Sequence, residues 1–139
     1  MPLIKLIKNS IIMKEFMLLI RNGSDSKAAF SPEKNQDFLN ACRVYIEKLT
    51  KSGNLKRAQP LIREGKMLSG SNNQWMETPF NEGKEVIVGY YHILANNLDE
   101  AIAIAKGNPE FEYTSTARIE VRPIKTIEES TSYAYPKGE

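Results

Sequence analysis

Apolar positions recur along this chain with two different periods, and the switches between them mark out the elements. In residues 14–21, KEFMLLIR, alternation puts Phe16, Leu18 and Ile20 on one side and Met17 and Leu19 on the other. A strand apolar on both sides is one covered on both sides. Turn formers fill residues 22–30. Ser31-Pro32-Glu33 then reads as a helix start, with a capping hydroxyl, a proline suited to the first turn and an acid at the positive end. Phe38, Leu39, Cys42, Tyr45, Ile46 and Leu49 follow at spacings of three and four, an apolar helical stripe that Gly53 ends.

The period returns to two at residues 54–61, NLKRAQPL, a strand whose Pro60 assigns it to a sheet edge. Residues 62–78 carry short extended pieces around Met67-Leu68 and Gln74-Trp75-Met76, with turn formers at 69–73 between them, so a hairpin inserted between the second and third core strands fits. Residues 84–95, KEVIVGYYHILA, are the strongest strand. Val86, Val88, Tyr90, His92 and Leu94 alternate with Glu85, Ile87, Gly89, Tyr91 and Ile93, and the sheet centre is the expected place for it. Asn97 and Glu100 form a capping box for a second helix, whose stripe is Ala101, Ile102 and Ala105 and whose end is Gly107-Asn108-Pro109. The last strand, residues 116–124, separates Ile119 and Val121 from Arg118, Glu120 and Arg122, and is expected to lie inside the sheet.

The order strand, helix, two strands, helix, strand predicts an α+β protein: a ferredoxin-like βαββαβ core, antiparallel, with an inserted hairpin and both helices on one face. Two helices leave the other face of the first and central strands uncovered. Burial stabilises by roughly 25 cal/mol per Å² of apolar surface, and the simplest cover is the same sheet of a second copy. A homodimer is therefore expected. Residues 13–125 form the domain, 126–139 a polar C-terminal tail, and 1–12 an N-terminal extension read as an arm docking on the domain or on a partner subunit. The extension has no apolar core region or small-residue cleavage site of the kind a signal peptide carries.

Composition narrows the function classes. The chain has 139 residues, 41% hydrophobic and 26% charged, ordinary for one globular domain. Lys5 and Lys8 account for the whole net charge of +2, so the domain itself is balanced and exerts no general pull on nucleic-acid phosphates. The single cysteine, Cys42, closes no internal disulfide. No apolar run approaches the ~20 residues that span a bilayer. A cytoplasmic protein without membrane or nucleic-acid partner is expected.

The pieces resemble a known family. MKEFMLLIR from Met13, GNLKRAQPL from Gly53, Thr78-Pro79-Phe80-Asn81-Glu82-Gly83-Lys84-Glu85, GYYHI from Gly89, Asn97-Leu98-Asp99-Glu100-Ala101 and Ile119-Glu120-Val121-Arg122-Pro123-Ile124 are together similar to the YCII-related proteins, in the branch named for a DGPF motif. The resemblance implies a dimeric α+β barrel of two ferredoxin-like halves. It has departures. Glu77-Thr78-Pro79-Phe80 stands where the branch reads Asp-Gly-Pro-Phe. The founding members offer a His and an Asp near the first helix as a catalytic pair, and Cys42 and Lys51 fall near those positions here. That acid–base chemistry is accordingly not carried over.

No phosphate loop, dinucleotide fingerprint, Cys-x-x-Cys pair or His-Glu-x-x-His is present, and no cofactor or metal is implied. The expected site joins Glu77 and His92 as catalytic groups with Phe80, Glu82, Lys84, Glu120 and Arg122 as ligand-binding groups. Arg122 offers a planar fork for a carboxylate, so a small anion is the expected ligand. Glu77 or Glu82 offers a base and His92 a proton carrier near neutral pH. The same residues also read as a structural ion network with a core histidine. Cys42, inside the helical stripe, reads as a packed thiol rather than a nucleophile. The function readings are a cofactor-free enzyme, isomerase- or lyase-like, on a small organic acid; a non-catalytic small-molecule binding or sensor dimer; and, remotely, an RNA-binding module, which would need exposed aromatics on the central strands.

Overall fold

The computed structural model describes residues 13–137, so the expected N-terminal arm lies outside the described residues. The elements are β1 (Lys14–Asn22), α1 (Pro32–Lys51), β2 (Leu55–Pro60), β3 (Lys66–Ser71), β4 (Gln74–Pro79), β5 (Val86–Ala95), α2 (Leu98–Lys106), α3 (Glu110–Tyr113), β6 (Arg118–Pro123), β7 (Ile127–Glu128) and β8 (Tyr133–Ala134). Both expected caps form. The Ser31 side chain accepts from Lys34 N at 3.1 Å and that of Asn97 from Glu100 N at 2.8 Å. Gly53 takes φ +78° just beyond α1, a conformation that costs a residue with a Cβ.

The main sheet is antiparallel in the order β2-β5-β1-β6. This is the strand order of a ferredoxin-like α+β fold, and β2 is at an edge as Pro60 required. Phe16, Leu18 and Ile20 of β1 and Tyr91, Ile93 and Ala95 of β5 form the core with Tyr45 and Leu49 of α1 and Ala101 and Ala105 of α2. Fully burying a side chain such as Leu18 or Ile93, both at 0% exposure, is worth roughly 1.5–3 kcal/mol. Both helices therefore cover one face. Met17, Leu19, Tyr90, His92 and Leu94 lie on the opposite, open face and are only half-buried.

Two expectations about the strands change. β6 pairs with β1 alone and is the second edge strand, not an internal one. Its charged side therefore meets solvent, which removes the desolvation cost that an internal position would impose. In β5 the register slips opposite Ile20 and Arg21: Gly89 pairs with Ile20, but Ile87 pairs with Arg21 and Val86 with Asn22. The extra residue is a bulge, and it moves Val86 off the face of Tyr90 and His92 to the side of Ile20 and Asn22. Simple alternation carries no sign of that slip.

The inserted hairpin is present as a two-stranded sheet of its own, β3 with β4. Asn72 and Asn73 both have positive φ, 51° and 65°, the pair of left-handed residues that a tight hairpin turn uses. Within β3 and β4 every residue except Thr78 is exposed, including Met67, Leu68, Trp75 and Met76. The tail carries a short ladder, β7 with β8, where the Tyr135 hydroxyl donates to Glu128 at 2.7 Å. No helix among the described residues is long and apolar enough to cross a membrane.

Candidate functional site

The residues singled out in the sequence fall in separate places. Glu77 sits on β4 opposite Leu68, exposed. Glu82 and Lys84 are exposed in the loop before β5. His92, Glu120 and Arg122 share the open sheet face, where β1 brings two of them to one level: Met17 pairs with His92 on one side and with Arg122 on the other. Phe80 alone turns toward the helix side and lines a cleft there.

On the open face, His92 Nε2 and Glu15 Oε1 are hydrogen-bonded at 2.8 Å, with Lys56 Nζ 3.6 Å and Lys137 Nζ 3.9 Å from the same carboxylate. Burial works to raise the Glu15 pKa. The hydrogen bond to His92 and the charges of Lys56, His92 and Lys137 outweigh it and hold the carboxyl below its usual range. At the β6 edge the carboxylates and guanidiniums run in a chain. Glu85 accepts from Arg118 Nε and Nη2 at 2.7 and 2.8 Å and from Arg21 Nε at 2.9 Å. Arg21 and Arg122 each lie 3.5 Å from Glu120. The Arg118 fork, followed by Arg21, pulls the Glu85 carboxyl down to about 2. With the Arg122 side chain 67% exposed, its pair with Glu120 is a surface pair, worth at most ~1 kcal/mol. The aromatics that an RNA platform would use are divided: Tyr90 is on the open face and Phe16 is in the core.

The helix side holds a different arrangement. Between α1 and the β2–β5 end of the sheet lies a cleft of about 740 Å³, within the range of small-molecule sites. Leu39, Ile46, Ile62, Phe80 and Val88 are among its apolar walls. The stripe of α1 explains why it exists. Tyr45 and Leu49 are buried in the core against the sheet and Phe38 is buried against Phe30 and Tyr113, but Leu39, Cys42 and Ile46, at the fringe, are left to face the gap. Gly89 lets β2 approach β5 closely there, since a Cβ would meet Gln59 O at 3.0 Å and Pro60 Cα at 3.2 Å.

Polar groups converge on the buried part of the cleft. Lys27 Nζ, from the loop before α1, is 2.9 Å from Glu110 Oε1 at the start of α3 and stacks 4.8 Å over the Phe38 ring. Tyr91 of β5 lines the cleft and meets the core residue Tyr45 of α1 edge to face at 5.5 Å, and the Tyr45 hydroxyl donates to Ile104 O at 2.6 Å. Burial raises the pKa of both tyrosines, with Cys42 adding to the rise. Burial, then the Glu110 charge, pushes the Cys42 thiol up to about 11, against the pull of Lys27. These hydroxyls and the thiol are thus neutral at physiological pH.

Two fully buried asparagines flank this region and differ in one respect. Asn22, 0% exposed, is satisfied: its Nδ2 donates to Thr114 at 3.0 Å and its Oδ1 accepts from Thr116 and Gly23 at 2.7 and 2.9 Å. Asn108, 2% exposed, lines the cleft; its Oδ1 accepts from Glu110 N at 2.9 Å, but its Nδ2 has no hydrogen-bond partner. The amide is near enough to oppose the rise in the Tyr45 and Tyr91 pKa values, without reaching bonding geometry. A buried donor left unpaired costs ~1–3 kcal/mol. The amide assignment is fixed by the Glu110 N–H, which needs an oxygen opposite it.

Lys27, Asn108 and Glu110 escape sequence reasoning. Lys27 reads as a loop lysine and Asn108 as a helix terminator. The available signal is the width of the α1 stripe, broader than one contact line needs. Among the described residues no group of three or more His, Cys, Asp or Glu side chains is placed to hold a metal ion.

These features define a ferredoxin-like α+β domain with a mainly apolar helix-side cleft, polar at its floor. The chain belongs to the YCII-related domain family, whose model matches residues 14–126. No curated protein matches it.

Proposed function

We propose that this YCII-related protein binds a small molecule in the helix-side cleft and works as a homodimer joined through the open sheet face. The observation that carries the binding reading is the convergence of Lys27, Glu110, Tyr91 and the unpaired Asn108 amide at the base of an apolar cleft of about 740 Å³. The dimer is supported by the half-buried apolar residues Met17, Leu19, Tyr90 and Leu94 on the uncovered face and by the barrel that the DGPF-type resemblance implies.

A cofactor-free enzyme, isomerase- or lyase-like, is the second reading. Its support is the nearly buried Glu110 carboxylate beside Lys27, a candidate base, with the neutral Tyr91 hydroxyl as a hydrogen-bond donor. His92 and Glu15 are on the opposite face of the sheet and serve no reaction in the cleft.

Thermal melts across a small-molecule panel test the binding reading. Hits should raise the Tm of the wild type and lose that effect in Leu39→Arg, whose side chain is 50% exposed at the cleft and tolerates charge. Hits that stabilise both proteins equally would place binding elsewhere. Turnover of a hit by the wild type, lost in Glu110→Gln, would establish the enzyme.

A further inference from the structure

The charges around the cleft restrict what enters it. The cations that line it are Lys27, Arg43 and Arg63. Each already faces a carboxylate: Lys27 Nζ is 2.9 Å from Glu110, Arg43 Nη1 is 3.3 Å from Glu47, and Arg63 bonds Asp25. The Arg43 and Arg63 pairs are exposed and weak, so the cation at the buried end of the cleft is Lys27, and an anion approaching it must settle beside the nearly buried Glu110 carboxylate, which repels it. An incoming cation meets carboxylates that are equally engaged.

Among the described residues, the one buried side-chain polar atom without a hydrogen-bond partner is a donor. Asn108 Oδ1 is occupied by the Glu110 amide, so the amide group presents Nδ2–H as a donor, and that donor has no acceptor. The Tyr45 hydroxyl is committed to Ile104 O. Burial holds Tyr91 and Cys42 in their protonated forms, so each is a neutral neighbour and the tyrosine is a further donor. The acceptor oxygens at the floor are the Glu110 carboxylate, paired with Lys27, and the Tyr91 hydroxyl, so the unpaired amide donor is what an incoming group can newly satisfy, and the walls of Leu39, Ile46, Ile62, Phe80 and Val88 call for an apolar body around it.

Building on the binding reading above, we infer that the cleft selects an uncharged molecule with a carbonyl-type acceptor on an apolar ring or chain: a ketone, lactone or neutral amide. The acceptor oxygen receives Asn108 Nδ2–H, with Tyr91 as second donor, and the hydrocarbon part displaces water from the walls. The preference departs from the small organic acid expected for Glu120 and Arg122, because it belongs to another place in the fold.

The test uses three probes of one shape: 2-acetylnaphthalene, 2-naphthoate and 2-ethylnaphthalene, titrated into the full-length protein and followed by amide chemical shifts. The ketone should bind about tenfold tighter than either of the others, the loss expected when one hydrogen bond is removed or an unmatched charge is brought in. Asn108→Asp keeps the oxygen that Glu110 N needs and removes the donor, so the ketone preference should disappear. Should that variant fail to fold, Tyr91→Phe reports on the second donor, with an expected weakening for the ketone and none for 2-ethylnaphthalene. Naphthoate binding as tightly as the ketone, with both abolished by Leu39→Arg, would overturn the inferred class and leave the cleft as the binding site. Probe binding indifferent to Leu39→Arg would overturn the cleft itself and the class with it.

Discussion

Asn22 and Asn108 show how little separates a structural residue from a functional one at the level of a single side chain. Both are amides buried beside the helix layer. One has every polar atom engaged and the other has a donor without an acceptor. Neither difference is written in the residue type. Cys42 is the opposite case: its spacing within the α1 stripe predicts a packed, unreactive thiol, and the structure leaves it half-buried and facing the cleft. Its pKa of about 11, set first by burial, gives the low reactivity a measurable form. At pH 8 the native thiol should react with iodoacetamide about 100-fold more slowly than an ordinary thiol, since two pKa units separate it from the usual value of 9.0. Labelling of the folded protein at the rate of the denatured one would return the nucleophile role to Cys42.

Among the elements, α1, α2, β1 and β5 were legible because each has a periodic stripe and a cap or turn at its ends. Ser31, Asn97, Gly53 and Gly107 stand where the sequence puts them. Legibility failed at strand neighbours and register. Nothing in RIEVRP tells an edge strand from an internal one when both carry Ile119 and Val121 toward helices, and a one-residue bulge in β5 leaves no mark on composition. The site suffered most, since a cleft is made by gaps between elements while periodicity reports contacts. The strand pairing does yield a pH prediction. Glu15 and Glu85 both have depressed pKa values, Glu85 at about 2. Their unfolded counterparts take up protons first as pH falls, so the stability they give is complete above the ordinary value of 4.5 and is lost progressively below it, toward about 2 for Glu85. The Tm should drop from pH 5 to pH 2. Glu15→Gln and Glu85→Gln should each flatten that drop, and added salt should reduce the contribution of Glu85, whose surroundings are more open. Acid slopes identical in wild type and both variants would show these networks to be unimportant.

On the scale of the whole molecule, the sheet is the dividing wall: core and cleft lie on one side, and on the other a half-buried surface with Met17 and Leu19 at its centre and ion pairs at its ends. If that surface meets a second copy, light scattering at micromolar concentration should return about twice the chain mass of 15.8 kDa. Leu19→Asp should halve it, while Leu39→Asp on the helix side should not. A wild-type mass of 15.8 kDa would remove the dimer. The β3–β4 hairpin belongs to neither side of the wall. Its strands pair with each other alone, and its turn at Asn72 and Asn73 is exposed. Lengthening such a turn costs only ~0.6 kcal/mol per doubling of the loop, and that cost falls on the hairpin rather than on the core. The hairpin turn at Asn72 and Asn73 is thus where this chain can gain or lose length over generations without disturbing its pocket, and where a fluorophore or an affinity tag can be grafted with the least consequence for what the pocket holds.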